Sequence, residues 1–134
     1  MSGTALSAAR LRHPRRIDLG GGSWIDVFDT ISPGCRLTRI AFRALWAKAP
    51  TERNDIRMYG KVLKEARATQ SFIRGYRYAN VDRPAASNTV PEELAPLAAW
   101  VQRNRAPDTV AFNQVLVNWY DPARGDYIGP HSEN

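Results

Sequence analysis

The sequence predicts an α+β domain, and three observations carry that reading. Residues 112–120 alternate as a strand with apolar side chains on both faces. Residues 32–50 and 91–103 show helical spacing between start and stop signals. Residues 56–63 and 72–81 are rich in Ile, Val, Tyr and Phe and read as strands or ribbon. The chain has 134 residues and 43% hydrophobic content, enough for one domain with a modest core.

Residues 1–16 carry Arg10, Arg12, Arg15 and Arg16 with no acid, which fits either a transit peptide or a flexible basic tail. Gly20-Gly21-Gly22 then reads as a flexible joint. It is not a phosphate loop, because the Lys-Ser/Thr ending is missing. Residues 1–22 are therefore expected to be tail and linker, and residues 23–134 the folded domain. Ser23 to Thr30 reads as a short strand. Ser32 as N-cap and Pro33 at the first helical position start a helix. Leu37, Ile40, Ala41, Ala44 and Leu45 make its buried stripe, and Pro50 ends it. A second helix runs from about Pro91 to Arg103. Glu92 and Glu93 favour its N-terminus, and Leu94, Leu97 and Val101 form its inner face.

In the strand 112–120, Phe112, Leu116, Asn118 and Tyr120 share one face, and Val115, Val117 and Trp119 the other. Both faces are expected to be covered, with Asn118 turned inward and in need of a partner. Asp121 to Asp126 is a turn containing Pro122 and Gly125. Residues 126–131 would return antiparallel to the strand. Cys35, the single cysteine, excludes an internal disulfide, fits a reducing compartment, and reads as a small buried residue on a helix. No apolar run approaches the ~18 residues of a membrane span, so no membrane partner is expected.

Net charge is +6, and fifteen of the nineteen Lys/Arg lie in the first 80 residues. The stretch from Arg53 to Arg77 holds Arg53, Arg57, Lys61, Lys64, Arg67, Arg74 and Arg77 against only Asp55 and Glu65. It suits a polyanion such as nucleic acid. A solvated face in an arginine-biased sequence is the alternative, since sixteen of the nineteen are Arg. His131 and Glu133 stand two apart, so an extended chain would point both to one side as a candidate metal chelate. A two-histidine, one-carboxylate triad with open positions is the usual non-haem Fe(II) oxygenase site.

Asn118-Trp119-Tyr120, the turn, and Ile128-Gly129-Pro130-His131-Ser132-Glu133 together resemble the AlkB family of Fe(II)/2-oxoglutarate dioxygenases. Upstream, Arg57-Met58-Tyr59-Gly60-Lys61 resembles the aromatic-Gly-Lys strand of the duplex-DNA-repair branch. Tyr76-Arg77-Tyr78-Ala79 is similar to the ribbon over the target base, and the resemblance spans residues 24–134. It implies a partial double-stranded β-helix, or jelly roll, with preceding helices and a nucleic-acid-facing ribbon. It implies oxidative removal of N-alkyl groups from bases, with Fe(II) and 2-oxoglutarate as cofactor and cosubstrate. Nucleic acid is the implied partner, DNA ahead of RNA, and the basic N-terminal tail fits a protein inside the cell, in the nucleus or an organelle. His131 and Glu133 would bind the metal. Asn118 and Tyr120 would hydrogen-bond 2-oxoglutarate. Tyr76 and Tyr78 would line the lid over a flipped base, Tyr59 would fill the vacated stack, and Lys61 and Arg67 would meet the backbone. The chain departs from the pattern in two places: Glu133 replaces the usual Asp, and Ala66 replaces a proline before Arg67. The motif is followed only by Asn134, and His13 is the sole other histidine. The expectation is thus the N-terminal part of such a domain, incomplete for catalysis. A catalytically silent nucleic-acid-binding relative is the alternative.

Overall fold

The computed structural model describes residues 14–129. The described residues divide into two compact units that part between Pro33 and Gly34. In the first, β1 (Arg15–Gly20) and β2 (Ser23–Val27) pair antiparallel. Gly20, Gly21 and Gly22 all take positive φ, at 80°, 61° and 80°, and close this hairpin. The expected tail and joint are therefore corrected from Arg15 onward. The glycines make a turn because the flanking segments pair, with Arg16 opposite Asp26. The Arg16 guanidinium grips the Asp26 carboxylate through two 2.8 Å hydrogen bonds and lies 4.0 Å from the Trp24 ring centroid. Its hydrogen bond holds the Asp26 carboxyl below the usual range. Residues 1–13, with His13, lie outside the described residues.

A single 3₁₀ turn covers Pro33–Cys35, and in the second unit α1 follows at Arg39–Trp46. The helix start predicted at Ser32 is thus displaced. Gly34 is a poor helix residue, whereas the Thr38 hydroxyl accepts the Ala41 N–H at 3.1 Å and caps α1 there. Its inner stripe is narrower than expected. Leu45 is buried and Ala41 half-buried, but Ala44 is exposed and Ile40 is 83% exposed. Phe42 stacks on Trp46, whose ring meets Trp119 edge-on at 5.9 Å. Cys35 is half-buried in the 3₁₀ turn, not buried in a helix.

Among the described residues, six strands, a second helix and a 3₁₀ turn over Pro122–Arg124 follow α1. β3 (Asp55–Met58) and β4 (Lys61–Lys64) form one antiparallel hairpin, and β6 (Tyr76–Tyr78) and β7 (Val81–Arg83) another. β5 (Ala68–Phe72) pairs antiparallel with β8 (Val115–Trp119). The strands of the described residues thus lie in two-stranded antiparallel sheets, and no closed barrel forms among them. The partner expected for the strand 112–120 was the segment 126–131; β5 takes that place, and residues 126–129 carry no strand. The turn after β8 diverts the chain, and Tyr127 donates its backbone N–H to the Ala66 carbonyl at 3.1 Å.

α2 (Ala95–Asn104) starts after a turn over Pro91–Leu94, with Trp100 buried and Val101 exposed. Leu94 and Leu97 are half-buried on the expected inner face, Leu94 against the core cluster, and only the last position changes, from Val101 to the larger Trp100. Lys48, just after α1, ties to the turn before α2, 2.6 Å from Glu93 and 3.7 Å from Glu92. The central cluster is Leu45, Ala68 and Trp119, packed by Ala49, Leu94 and Val117. Trp119 decides which face of β8 is buried. Val115, Val117 and Trp119 turn inward, while Leu116 and Asn118 are exposed. The expectation that both faces are covered and Asn118 buried is corrected accordingly. Among the described residues no helix is long and apolar enough to cross a membrane.

Candidate nucleic-acid interface

The β3–β4 hairpin is a ribbon with almost every residue exposed. Its two-residue tip, Tyr59-Gly60, takes φ of 51° and 74°. Positive φ at both central residues is what the tightest right-twisting hairpin turn requires. Glycine accepts this readily; tyrosine does so at a steric cost. The ring at this strained tip is 94% exposed. Cross-strand pairing puts Arg57 opposite Val62 and Met58 opposite Lys61. Paired residues share a face, so Arg57 and Lys61 stand on opposite faces just behind the tip.

The β6–β7 hairpin turns the same way, with Ala79 and Asn80 at φ of 46° and 60°. Arg57 donates its backbone N–H to the Ala79 carbonyl at 3.2 Å, so the tip of this hairpin is tied to the ribbon. Tyr76 is half-buried and Tyr78 is 49% exposed. The approach to the pair is sharply shaped. Ile73, a β-branched residue, sits at φ of 73°, and a Cβ added at Gly75 would overlap the Arg83 carbonyl oxygen. Gln114 donates to the carbonyls of Arg74 and Gly75 at 2.9 and 3.3 Å, anchoring this entry to the segment before β8.

Several of the basic residues in this stretch are paired within the fold. Arg53 is consumed inside the fold, where it ion-pairs with Asp126 and donates to the Arg124 carbonyl at 2.7 Å. It is corrected from surface contact to structural anchor. Lys64 pairs with Asp55 at 2.7 Å, and Arg77 with Asp82 at 3.3 Å. Among the described residues no ion pair involves Arg57, Lys61 or Arg74. Arg67 is half-buried, its guanidinium 5.8 Å from the Tyr120 ring centroid.

Asn118 and Tyr120 share the open face of β8 and the residue after it. The Asn118 Oδ1 accepts from the Thr69 hydroxyl at 3.0 Å, which leaves the amide N–H₂ directed away from that bond. His131 and Glu133 lie outside the described residues, so the metal pair rests on the sequence. Among the described residues no cluster of three His, Cys, Asp or Glu could hold a metal ion.

The turn leading toward that pair is firmly built. The Asp121 carboxylate accepts from Ala123 N–H at 2.9 Å, Gly125 closes the turn at φ of 67°, and Asp126 accepts the Asp121 N–H at 3.0 Å. That backbone hydrogen bond, with Arg53 beside it, holds the Asp126 carboxyl below its usual 3.8. A carboxylate depressed in the fold stabilises it above the ordinary pKa and loses that contribution as pH falls through the folded value. The turn is therefore expected to loosen on acidification below 3.8. Asp126→Asn should remove this acid step while weakening the turn at neutral pH. Amide exchange at Gly125 and Tyr127 across pH checks it; identical pH profiles in both proteins would contradict it.

Sequence reasoning missed the residues that connect these parts. Arg83 and Glu65 are buried and ion-paired at 2.9 Å. The Asn54 amide reaches both the Glu65 carboxylate, at 3.2 Å, and the Thr69 carbonyl, at 2.8 Å. Arg83 stood outside the basic stretch in sequence, and nothing in its neighbours marks it as buried. A cavity of about 430 Å³ opens beside this network, lined by Asn54, Thr69, Ser71, Tyr76 and Arg83 among others. Comparison with protein-family models and with curated proteins finds no match to the chain.

Proposed function

We propose that this sequence is that of an Fe(II)/2-oxoglutarate-dependent dioxygenase of the AlkB-like type, which removes N-alkyl groups from nucleic-acid bases. The observation that carries the reading is the pair of tied hairpins. One presents a strained, exposed Tyr59 between Arg57 and Lys61, and the other presents Tyr76 and Tyr78. An enzyme acting on a base in a duplex must take it out of the stack. That task needs an aromatic wedge, cations for the flanking phosphates, and an aromatic platform for the extruded base. The two hairpins supply all three side by side. The finer fold proposed is a partial double-stranded β-helix, of which β5 and β8 would be two strands.

The open face of β8 fits the cosubstrate. The Asn118 amide and the Tyr120 hydroxyl are two donors two residues apart, suited to an oxo-dicarboxylate. His131 and Glu133 would hold the iron. When bound, iron and 2-oxoglutarate would supply oxidation of the N-alkyl carbon, which then leaves as an aldehyde. The chain's own residues orient the cosubstrate and hold the base.

Asn118→Ala and Tyr120→Phe are each expected to weaken 2-oxoglutarate binding by about ten- to a hundredfold. Each removes one hydrogen bond to a charged group, worth roughly 1.5–3 kcal/mol. The test is quenching of the chain's total tryptophan fluorescence on titration with 2-oxoglutarate in the presence of iron. Equal quenching curves for wild type and both variants would remove these residues from the site. Absence of any 2-oxoglutarate binding together with retained nucleic-acid binding would replace the enzyme reading by that of a silent binding relative.

A further inference from the structure

Register places Arg83 directly opposite Tyr76, with Tyr78 two residues along on the same face. The Arg83 guanidinium lies 5.4 Å from the Tyr76 ring centroid and 5.1 Å from that of Tyr78. Its Nη1 donates to the Tyr76 hydroxyl at 2.9 Å and ion-pairs with Glu65 at 2.9 Å. Its Nη2 donates at 3.2 Å to the Asp55 carbonyl, at the root of the Tyr59 ribbon. The residue is only 7% exposed. No phosphate could reach a cation so placed. A buried arginine is kept only if it is paired and hydrogen-bonded, and each of its bonds here leads to one of the two hairpins or to Glu65.

From this geometry we infer that Arg83 is the positioning residue of the interface: it sets the rings of Tyr76 and Tyr78 and fixes their hairpin to the Tyr59 ribbon. The inference rests on the reading of this face as a nucleic-acid interface. Burial of Arg83 works against its charge, but the bonds to Glu65 and Tyr76 outweigh that and raise its pKa. The guanidinium therefore stays charged at any pH the protein meets, and the lid needs no titration to form. A planar fork can serve the Tyr76 hydroxyl, the Glu65 carboxylate and the Asp55 carbonyl together. A lysine ammonium at the same place keeps the charge for Glu65 but lacks the fork and the flat face.

Arg83→Lys is the first test, since it leaves no uncompensated charge on Glu65. The Arg83→Gln, Glu65→Gln double variant is the second, since it removes both charges of the pair. Thermal unfolding establishes which variant is folded, and two-dimensional aromatic NMR then reads the tyrosine rings. In a folded variant the Tyr76 and Tyr78 ring resonances should move toward random-coil positions, while those of Tyr59 stay. Affinity for a single-stranded oligonucleotide should fall about tenfold, within the range of a lost base–aromatic stack. The slope of log affinity against log salt should not change, because Arg83 meets no phosphate.

Unmoved Tyr76 and Tyr78 resonances in a folded variant would overturn the inference. So would displaced rings with unchanged affinity, or unfolding of both variants, which would make Arg83 a residue of the core alone. Failure of the wild-type chain to bind any oligonucleotide would instead sink the interface reading. The ring resonances would still decide whether Arg83 orders the two tyrosines.

Discussion

Trp119→Ala is expected to destabilise the second unit by about 3–5 kcal/mol, the range for deleting a buried large aromatic. Trp119 is 5% exposed, sits in the central cluster with Leu45 and Ala68, and meets Trp46 edge-on. A buried indole removes roughly 150–250 Å² from water, at about 25 cal/mol per Å². Trp119 is the largest side chain of the cluster. Most small domains have only 5–15 kcal/mol of stability in all. The variant should therefore have a much lower denaturation midpoint, measured by circular dichroism in urea. Trp46→Ala should cost less, because Trp46 is 37% exposed. Equal losses for the two would mean that the core is centred on the helix, not on β8.

Arg57→Ala with Lys61→Ala is expected to flatten the salt dependence of duplex binding by about 1.8 in log–log slope. Each neutralised phosphate contributes about 0.9. The two side chains flank the Tyr59 tip on opposite faces of the ribbon, so in the proposed interface they would reach phosphates independently and their effects should add. Arg53→Ala, by contrast, should leave the slope unchanged and lower stability, because Arg53 is bound to Asp126 and the Arg124 carbonyl. Fluorescence anisotropy with a labelled duplex at several salt concentrations separates the two. A slope change for Arg53→Ala equal to that for the ribbon pair would contradict the division of roles.

What could be read from the residues, and what could not, follows from where the information sits. The alternation of Val115, Val117 and Trp119 against Leu116 and Asn118 is local, so the strand was legible. Which face is buried depends on Trp46 and Ala68, which lie far off in sequence, so the covering of that face was misjudged. The capping error had a local cause. Ser32-Pro33 and Thr38 are both valid starts, and only the cost of Gly34 inside a helix separates them. Gly20 to Gly22 looked like a joint because a glycine run cannot say whether its flanks pair. The motifs singled out Tyr59, Tyr76 and Tyr78, and the structure puts Tyr59 on the ribbon tip and the other two on the hairpin tied to it. Arg83, Glu65 and Asn54 were not legible, because a buried ion pair between two hairpins is a matter of tertiary approach alone.

The central claim is that the two hairpins bind nucleic acid by displacing a base with Tyr59. The most direct measurement is the fluorescence of 2-aminopurine placed within a short duplex, titrated with the wild-type chain and with Tyr59→Ala. The account predicts a rise in fluorescence with wild type as the base leaves the stack. It predicts little or no rise with Tyr59→Ala, although Arg57 and Lys61 still hold that variant on the duplex at low salt. An equal rise with both proteins, or binding by wild type without any rise, would contradict it.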